Sequence, residues 1–154
     1  MIVSGKEILQ YIPQRSPMVM VDKLLDANDT SAVTGLSVDN DNIFVNGGYL
    51  LEPGIVEHIA QSAALQAGYR FAKSGMPVPI GYIAAVKDLI ISALPKVNTE
   101  LVTRIEIINH LMGVTLVRGH VAGEGMHIAT CEMRIFIKDI DAIPLRKTNQ
   151  KERL

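Results

Sequence analysis

A chain of 154 residues, 48% apolar and 20% charged, has material for one packed core and the composition of a soluble globular domain. A net charge of −1 offers nothing to nucleic acid, and 5% aromatic residues without tryptophan leave no stacking platform for single strands. Cys131 is the only cysteine, which excludes an internal disulfide framework or cysteine metal cluster. No window approaches about 18 uncharged apolar residues, so no membrane span is expected.

The N-terminus lacks the basic stretch and apolar run of a signal peptide, and a cytoplasmic location is expected. Residues 4–11 read as a short helix with Ser4 as N-cap, Glu7 as its capping-box partner and Pro13 ending it. Residues 18–25 are a short apolar run and read as a strand. The turn at Asn28, Asp29 and Thr30, followed by an alternating run over 31–38, makes the pair a hairpin. Residues 39–51 contain Asn46, Gly47 and Gly48 and read as a loop leading into the longest element.

That element spans 53–73, with no proline inside it and Pro53 at the first helical position; Gly75 and Pro77 stop it. Ile55, Val56, Ile59, Ala60, Ala63, Ala64, Leu65, Ala67 and Phe71 cover nearly its whole circumference, the pattern of a buried helix. Gln66, Arg70 and Lys73 share a face of its C-terminal half. Glu57, His58 and Gln61 interrupt the apolar surface near its start. Glu57 and Gln61 are four residues apart and share a face, while His58 points about 100° away. A carboxylate in apolar surroundings is either satisfied locally or kept for chemistry; here the alternative is a first-turn acid complementing the helix dipole.

Beyond the helix, residues 81–94 are an apolar run with Lys87 and Asp88 in its middle. Strands follow over 100–109, 113–122 and 126–137, the last two joined at Gly123-Glu124-Gly125. Helix, two strands, long helix and then three or four strands favour an α+β fold with an antiparallel sheet over a doubly wound one. An antiparallel sheet wrapped around one long central helix is the hot-dog shape. Its open edge is a liability that a symmetric dimer would resolve. The domain is expected over 1–140. A polar, basic tail over 141–154 carries Arg146, Lys147, Lys151 and Arg153 against Glu152.

Ile12-Pro13, Arg15, Pro17, Val21-Asp22 and Lys23 resemble the opening pattern Leu-Pro-His-Arg-x-Pro-x-Leu-x-Val-Asp-Arg of the bacterial 3-hydroxyacyl-acyl-carrier-protein dehydratases. Glu57-His58-Ile59-Ala60-Gln61 resembles the Glu-Ala-x-Ala-Gln of that family's central helix. Residues 83–88 resemble the strand after it, and 113–136 the closing hairpin. The likeness runs in order over residues 8–138. The helix entry, Pro53 to Glu57, is closer to the dehydratase-like proteins of aryl-polyene and related pigment pathways.

The resemblance implies elimination of water from a 3-hydroxyacyl thioester, with a base at the α-carbon, an acid at the leaving hydroxyl and N–H donors for the enolate oxygen. In the family a histidine of one subunit meets the helix glutamate of the other. The glutamate carries over to Glu57, Gln61 to its hydrogen-bonding support, and the backbone around Gly54 to the oxyanion donor region. The histidine does not carry over. The family's Gly-His-Phe-Pro stretch falls on residues 45–50, where no histidine stands, and Gln14 occupies the histidine position of the opening pattern.

His58 is the nearest stand-in, weighed against a packed histidine at the dimer contact. His110, His120 and His127 read as surface residues, and Cys131 as a small buried hydrophobe. Tyr49 either donates a hydrogen bond to the thioester oxygen or fills the pocket mouth. No histidine pair has metal-ligand spacing with a third ligand, so neither metal nor other cofactor is expected.

Three readings remain open: a dehydratase-like protein acting on acyl carrier protein or coenzyme A thioesters, an acyl thioesterase using Glu57, and a non-catalytic acyl-binding or partner subunit. All three require an apolar tunnel beside the helix, and Arg70, Lys73 or Lys96 would meet an acidic carrier at its mouth. The resemblance also implies a homodimer or higher oligomer, or a heteromer with a homologous dehydratase.

Overall fold

The computed structural model describes residues 1–138; the expected tail from 141 lies outside them. A seven-stranded antiparallel sheet curves around one helix. In chain order the elements are β1 (Val3–Ser4), a 3₁₀ helix (Gly5–Gln10), β2 (Lys23–Ala27), β3 (Ser31–Ser37), β4 (Val45–Asn46), β5 (Tyr49–Leu50), α1 (Glu52–Lys73), β6 (Gly81–Ile91), β7 (Glu100–Leu111), β8 (Val114–Gly123) and β9 (Met126–Ile137). The sheet order is β1-β2-β3-β7-β8-β9-β6, with β4 and β5 forming a separate two-stranded ribbon. This is the α+β, hot-dog arrangement that the element order predicts.

The helix is held by its apolar residues. Ile55, Ile59 and Ala63 pack on Leu36, Leu101, Ile105, Val117, Val121 and Met133 from the inner face of the sheet. Burying each isoleucine contributes about 2 kcal/mol. A second cluster under the 3₁₀ helix joins Ile8, Ile12, Val21 and Leu24 to Leu65. Two glycines permit the close approach. A side chain at Gly119 would meet Ile59 Cγ2 at 2.5 Å, and one at Gly68 would meet the Tyr11 carbonyl oxygen at 1.8 Å. Cys131 is buried in the core, and burial pushes its thiol up to about 11.

The strands differ sharply in burial. Along β7, Leu101, Thr103 and Ile105 are buried while Val102 and Arg104 are exposed, the alternation of a sheet with one covered face. Strand β6, at the sheet's edge, is exposed at every residue except Ala85 and Ile91, although it carries Tyr82, Ile83, Val86, Leu89 and Ile90.

Two N-terminal expectations change. Ser4 makes no side-chain cap; Gly5, at φ +61°, turns the chain instead, and the helix is 3₁₀. The strand expected over 18–25 begins only at Lys23, because the backbone of residues 18–20 is hydrogen-bonded to side chains of α1 rather than to a neighbouring strand.

Candidate functional site at the start of the central helix

Helix α1 starts at Glu52 with Pro53 in its first turn, where the missing N–H is no loss. Gly54 N–H donates to Leu51 O at 3.0 Å, so it serves the helix. A side chain at Gly54 would meet Leu50 Cδ1 and Phe44 Cβ at 2.6 Å, so glycine lets the β4–β5 segment lie on the first turn.

One turn on, three polar side chains diverge. Gln61 is wholly buried. Its Oε1 accepts from Met20 N–H at 2.6 Å, and its Nε2 donates to Met18 O at 2.6 Å and to Glu57 Oε1 at 2.8 Å. The two backbone bonds fix which end of the amide is nitrogen, and therefore fix the donor offered to the Glu57 carboxylate. Glu57 is half-buried.

His58 is wholly buried, with Nδ1 2.6 Å from Met20 O and Nε2 2.7 Å from Thr103 Oγ1. A carbonyl oxygen can only accept, so Nδ1 carries the proton, Nε2 is the acceptor and the Thr103 hydroxyl donates to it. Burial lowers the imidazole pKa to about 4, against a smaller upward pull from the Met20 carbonyl and Asp22. Below it, Ser62 Oγ donates to His58 O at 2.8 Å and stands 2.7 Å from Thr34 Oγ1.

Glu57 opens on a cavity of about 1130 Å³ along the other flank of the helix. Ala60, Ala63, Ala64, Ala67 and Phe71 form its helical wall; Ile107, Val117 and Ile135 come from the sheet. Small alanines keep this space open where larger residues would fill it. Gln14 and Gln66 also line it, each with a buried carbonyl oxygen that has no partner among the described residues. Arg70 lines its far end.

His110 lines the cavity as well, with Nδ1 2.7 Å from Thr115 Oγ1. It lies well along β7 from the residue that holds His58. Thr103 of the same strand holds His58, and seven residues of strand place His110 about 20 Å further along. Tyr49 is 40% exposed on the β4–β5 ribbon, bridged to Lys96, and is not in the cavity wall.

The structure thus sets Glu57 at the cavity with the buried Gln61 amide bonded to it from behind, seats His58 on the opposite flank, and leaves Gly54 and Tyr49 outside the cavity. Gln14, Gln66, His110 and Thr115 gave no local signal of a shared wall, since they come from four separate segments. The Asp22-Lys23 pair of the opening pattern clips strands together. Lys23 Nζ lies 3.0 Å from Asp22 Oδ1 and 2.6 Å from Glu100 Oε2, and Asp22 Oδ2 accepts from Ser37 N–H at 2.8 Å.

The family pattern described as ApeP-like, ApeP dehydratase, matches residues 6–144. This chain belongs to the ApeP-like dehydratase family. The ApeP-like chain is 26% identical over 140 residues to the 3-hydroxyacyl-[acyl-carrier-protein] dehydratase FabZ of Thiobacillus denitrificans, covering 87% of this chain and 97% of that one. It is 24% identical over 145 residues to FabZ of Shewanella baltica, covering 88% and 92%.

Among solved structures, the dehydratase heterocomplex ApeI:P from Xenorhabdus doucetiae superposes with a TM-score of 0.80 at 15% identity, covering 87% of this chain and 92% of that chain. A hypothetical thioesterase with coenzyme A from Streptococcus pneumoniae superposes at 0.62 and 12% identity, covering 75% and 87%. Both show the fold. With the family match, they make this a dehydratase-like hot-dog protein; no helix among the described residues is long and apolar enough to cross a membrane.

Proposed function

We propose that this chain supplies the carboxyl half of a 3-hydroxyacyl-thioester dehydratase and takes the imidazole half from a homologous subunit. One observation carries the reading. Glu57, oriented by Gln61, faces an apolar cavity large enough for an acyl chain, and the imidazole of the neighbouring His58 is turned away from it, with both nitrogens engaged by Met20 O and Thr103 Oγ1. In the reaction a base removes the α-proton, the electrons form the double bond, and the C–O bond breaks. The Glu57 carboxyl, in its acid form, gives the leaving hydroxyl a proton and releases it as water. His58 has both ring nitrogens committed, and its role here is to hold the 18–20 segment against the helix.

The open edge at β6 is the surface on which the second subunit adds its own edge strand. The homologue's loop corresponding to residues 45–50 then carries the missing base to Glu57. The unpartnered oxygens of Gln14 and Gln66 suit the amide N–H groups of an extended thioester arm, on a carrier protein or coenzyme A. The work is placed in the cytoplasm, in fatty-acid or polyene-type synthesis.

The test incubates 3-hydroxyacyl thioesters with this protein alone, with a histidine-bearing FabZ-type homologue alone, and with the co-expressed pair, and reads mass. Loss of water that rises on pairing and falls at least about 100-fold with Glu57→Gln supports the reading. Turnover by this chain alone places the base within it. Release of free acid and thiol makes it a thioesterase. A stable pair whose turnover ignores Glu57→Gln reduces this chain to a non-catalytic subunit.

A further inference from the structure

On the outer face of the sheet, away from the cavity, two of the four histidines stand side by side. His120 of β8 and His127 of β9 have ring centroids 4.8 Å apart and planes inclined by 58°. Both are exposed. Neither adjacency nor strand alternation alone produces this. Val121 pairs with Ala129 and Ala122 with His127, so β9 carries one extra residue, Ile128, at a bulge. Ile128 and Ala129 are both buried in succession, and the bulge turns His127 out beside His120.

A second observation concerns the orientation of the ring. His127 Nδ1 is 3.1 Å from Ser92 Oγ, and Ser92 N–H donates to the Ile128 carbonyl at 2.8 Å, which anchors the serine on the bulge itself. Ser92 Oγ is placed to accept Nδ1–H, the tautomer in which His127 presents its Nε2 lone pair outward as a metal-binding imidazole does. Among the described residues, no carboxylate or guanidinium hydrogen-bonds either ring. Two nitrogens on one tetrahedral ion at about 2.0 Å lie about 3.3 Å apart, within reach of rings at this spacing after a small side-chain rotation.

The geometry points to a two-imidazole site at His120 and His127 for a borderline divalent ion, copper first, then nickel and zinc, with water completing the shell. Bound there, the ion bridges β8 to β9 beside the end of β6. The donor set excludes magnesium and calcium, which take oxygen ligands.

The experiment titrates tag-free protein with Cu²⁺, Zn²⁺ and Mg²⁺ by calorimetry, and records the paramagnetic resonance spectrum of the copper form. The expected result is one Cu²⁺ per chain with two nitrogen couplings, weaker Zn²⁺ and no Mg²⁺. His120→Gln and His127→Gln, each confirmed folded by circular dichroism, abolish the two-nitrogen spectrum. Ser92→Ala weakens binding about tenfold. Copper bound equally by wild type and both variants, copper lost only with His110→Gln, or no saturable binding overturns the site.

Discussion

The two flanks of α1 use the same helix in opposite ways. On one, His58, Gln61 and Ser62 lie in a dry seam against residues 18–20, Thr34 and Thr103, and both imidazole nitrogens and the Gln61 amide groups have partners. On the other, Glu57 is followed by alanines that leave a cavity. Buried polar groups that are fully partnered make structure; a half-buried carboxylate beside empty space is available for chemistry. Two adjacent residues, Glu57 and His58, fall on either side of that division.

The division is broken most severely from the seam. His58→Ala leaves the Met20 carbonyl and Thr103 hydroxyl without partners around a void, and is expected to cost about 4 kcal/mol in denaturant unfolding. Acid should act through the same residue. His58 titrates near 6.5 when unfolded and near 4 when folded, so the unfolded chain takes up the proton first. Its contribution is complete above about pH 6.5 and falls by about 3 kcal/mol as the pH drops to 4. The loss of stability over that interval should be smaller by this amount in His58→Gln, provided the variant folds; an unchanged pH slope would place the titration elsewhere.

Gly68→Ala drives a methyl into the Tyr11 carbonyl and should cost about 3 kcal/mol. Its counterpart on the cavity flank, Ala67→Leu, points into open space and should change stability by less than about 0.5 kcal/mol. The same leucine shortens the cavity, so long-chain thioesters should lose binding while short ones keep it, as read by native mass spectrometry. Equal loss for both lengths would mean the chain does not lie along this wall.

Much of this was legible in the residues. The apolar circumference over 53–73 predicts the helix to within one residue of its start, and the Gly123-Glu124-Gly125 turn marks the β8–β9 hairpin. The Glu57–Gln61 pair is readable because helical periodicity alone brings the two side chains together. The partners of His58 are not, since Met20 and Thr103 lie 38 and 45 residues away and meet it only in the folded chain. The same long-range contact hid the true start of β2. Residues 18–20 have a strand's composition, but α1 side chains take the backbone groups of Met18 and Met20.

Strand β6 has one more consequence. Its eleven residues present an apolar row that a lone chain leaves to water, so the isolated subunit forgoes the hydrophobic stabilisation those side chains could give. Whatever covers that row contributes to folding as well as to binding. The melting temperature should therefore climb with protein concentration, or with the ratio of the second subunit, by mass action. Made without whatever covers that row, this chain would be the shorter-lived form, and its abundance would follow the supply of the covering surface.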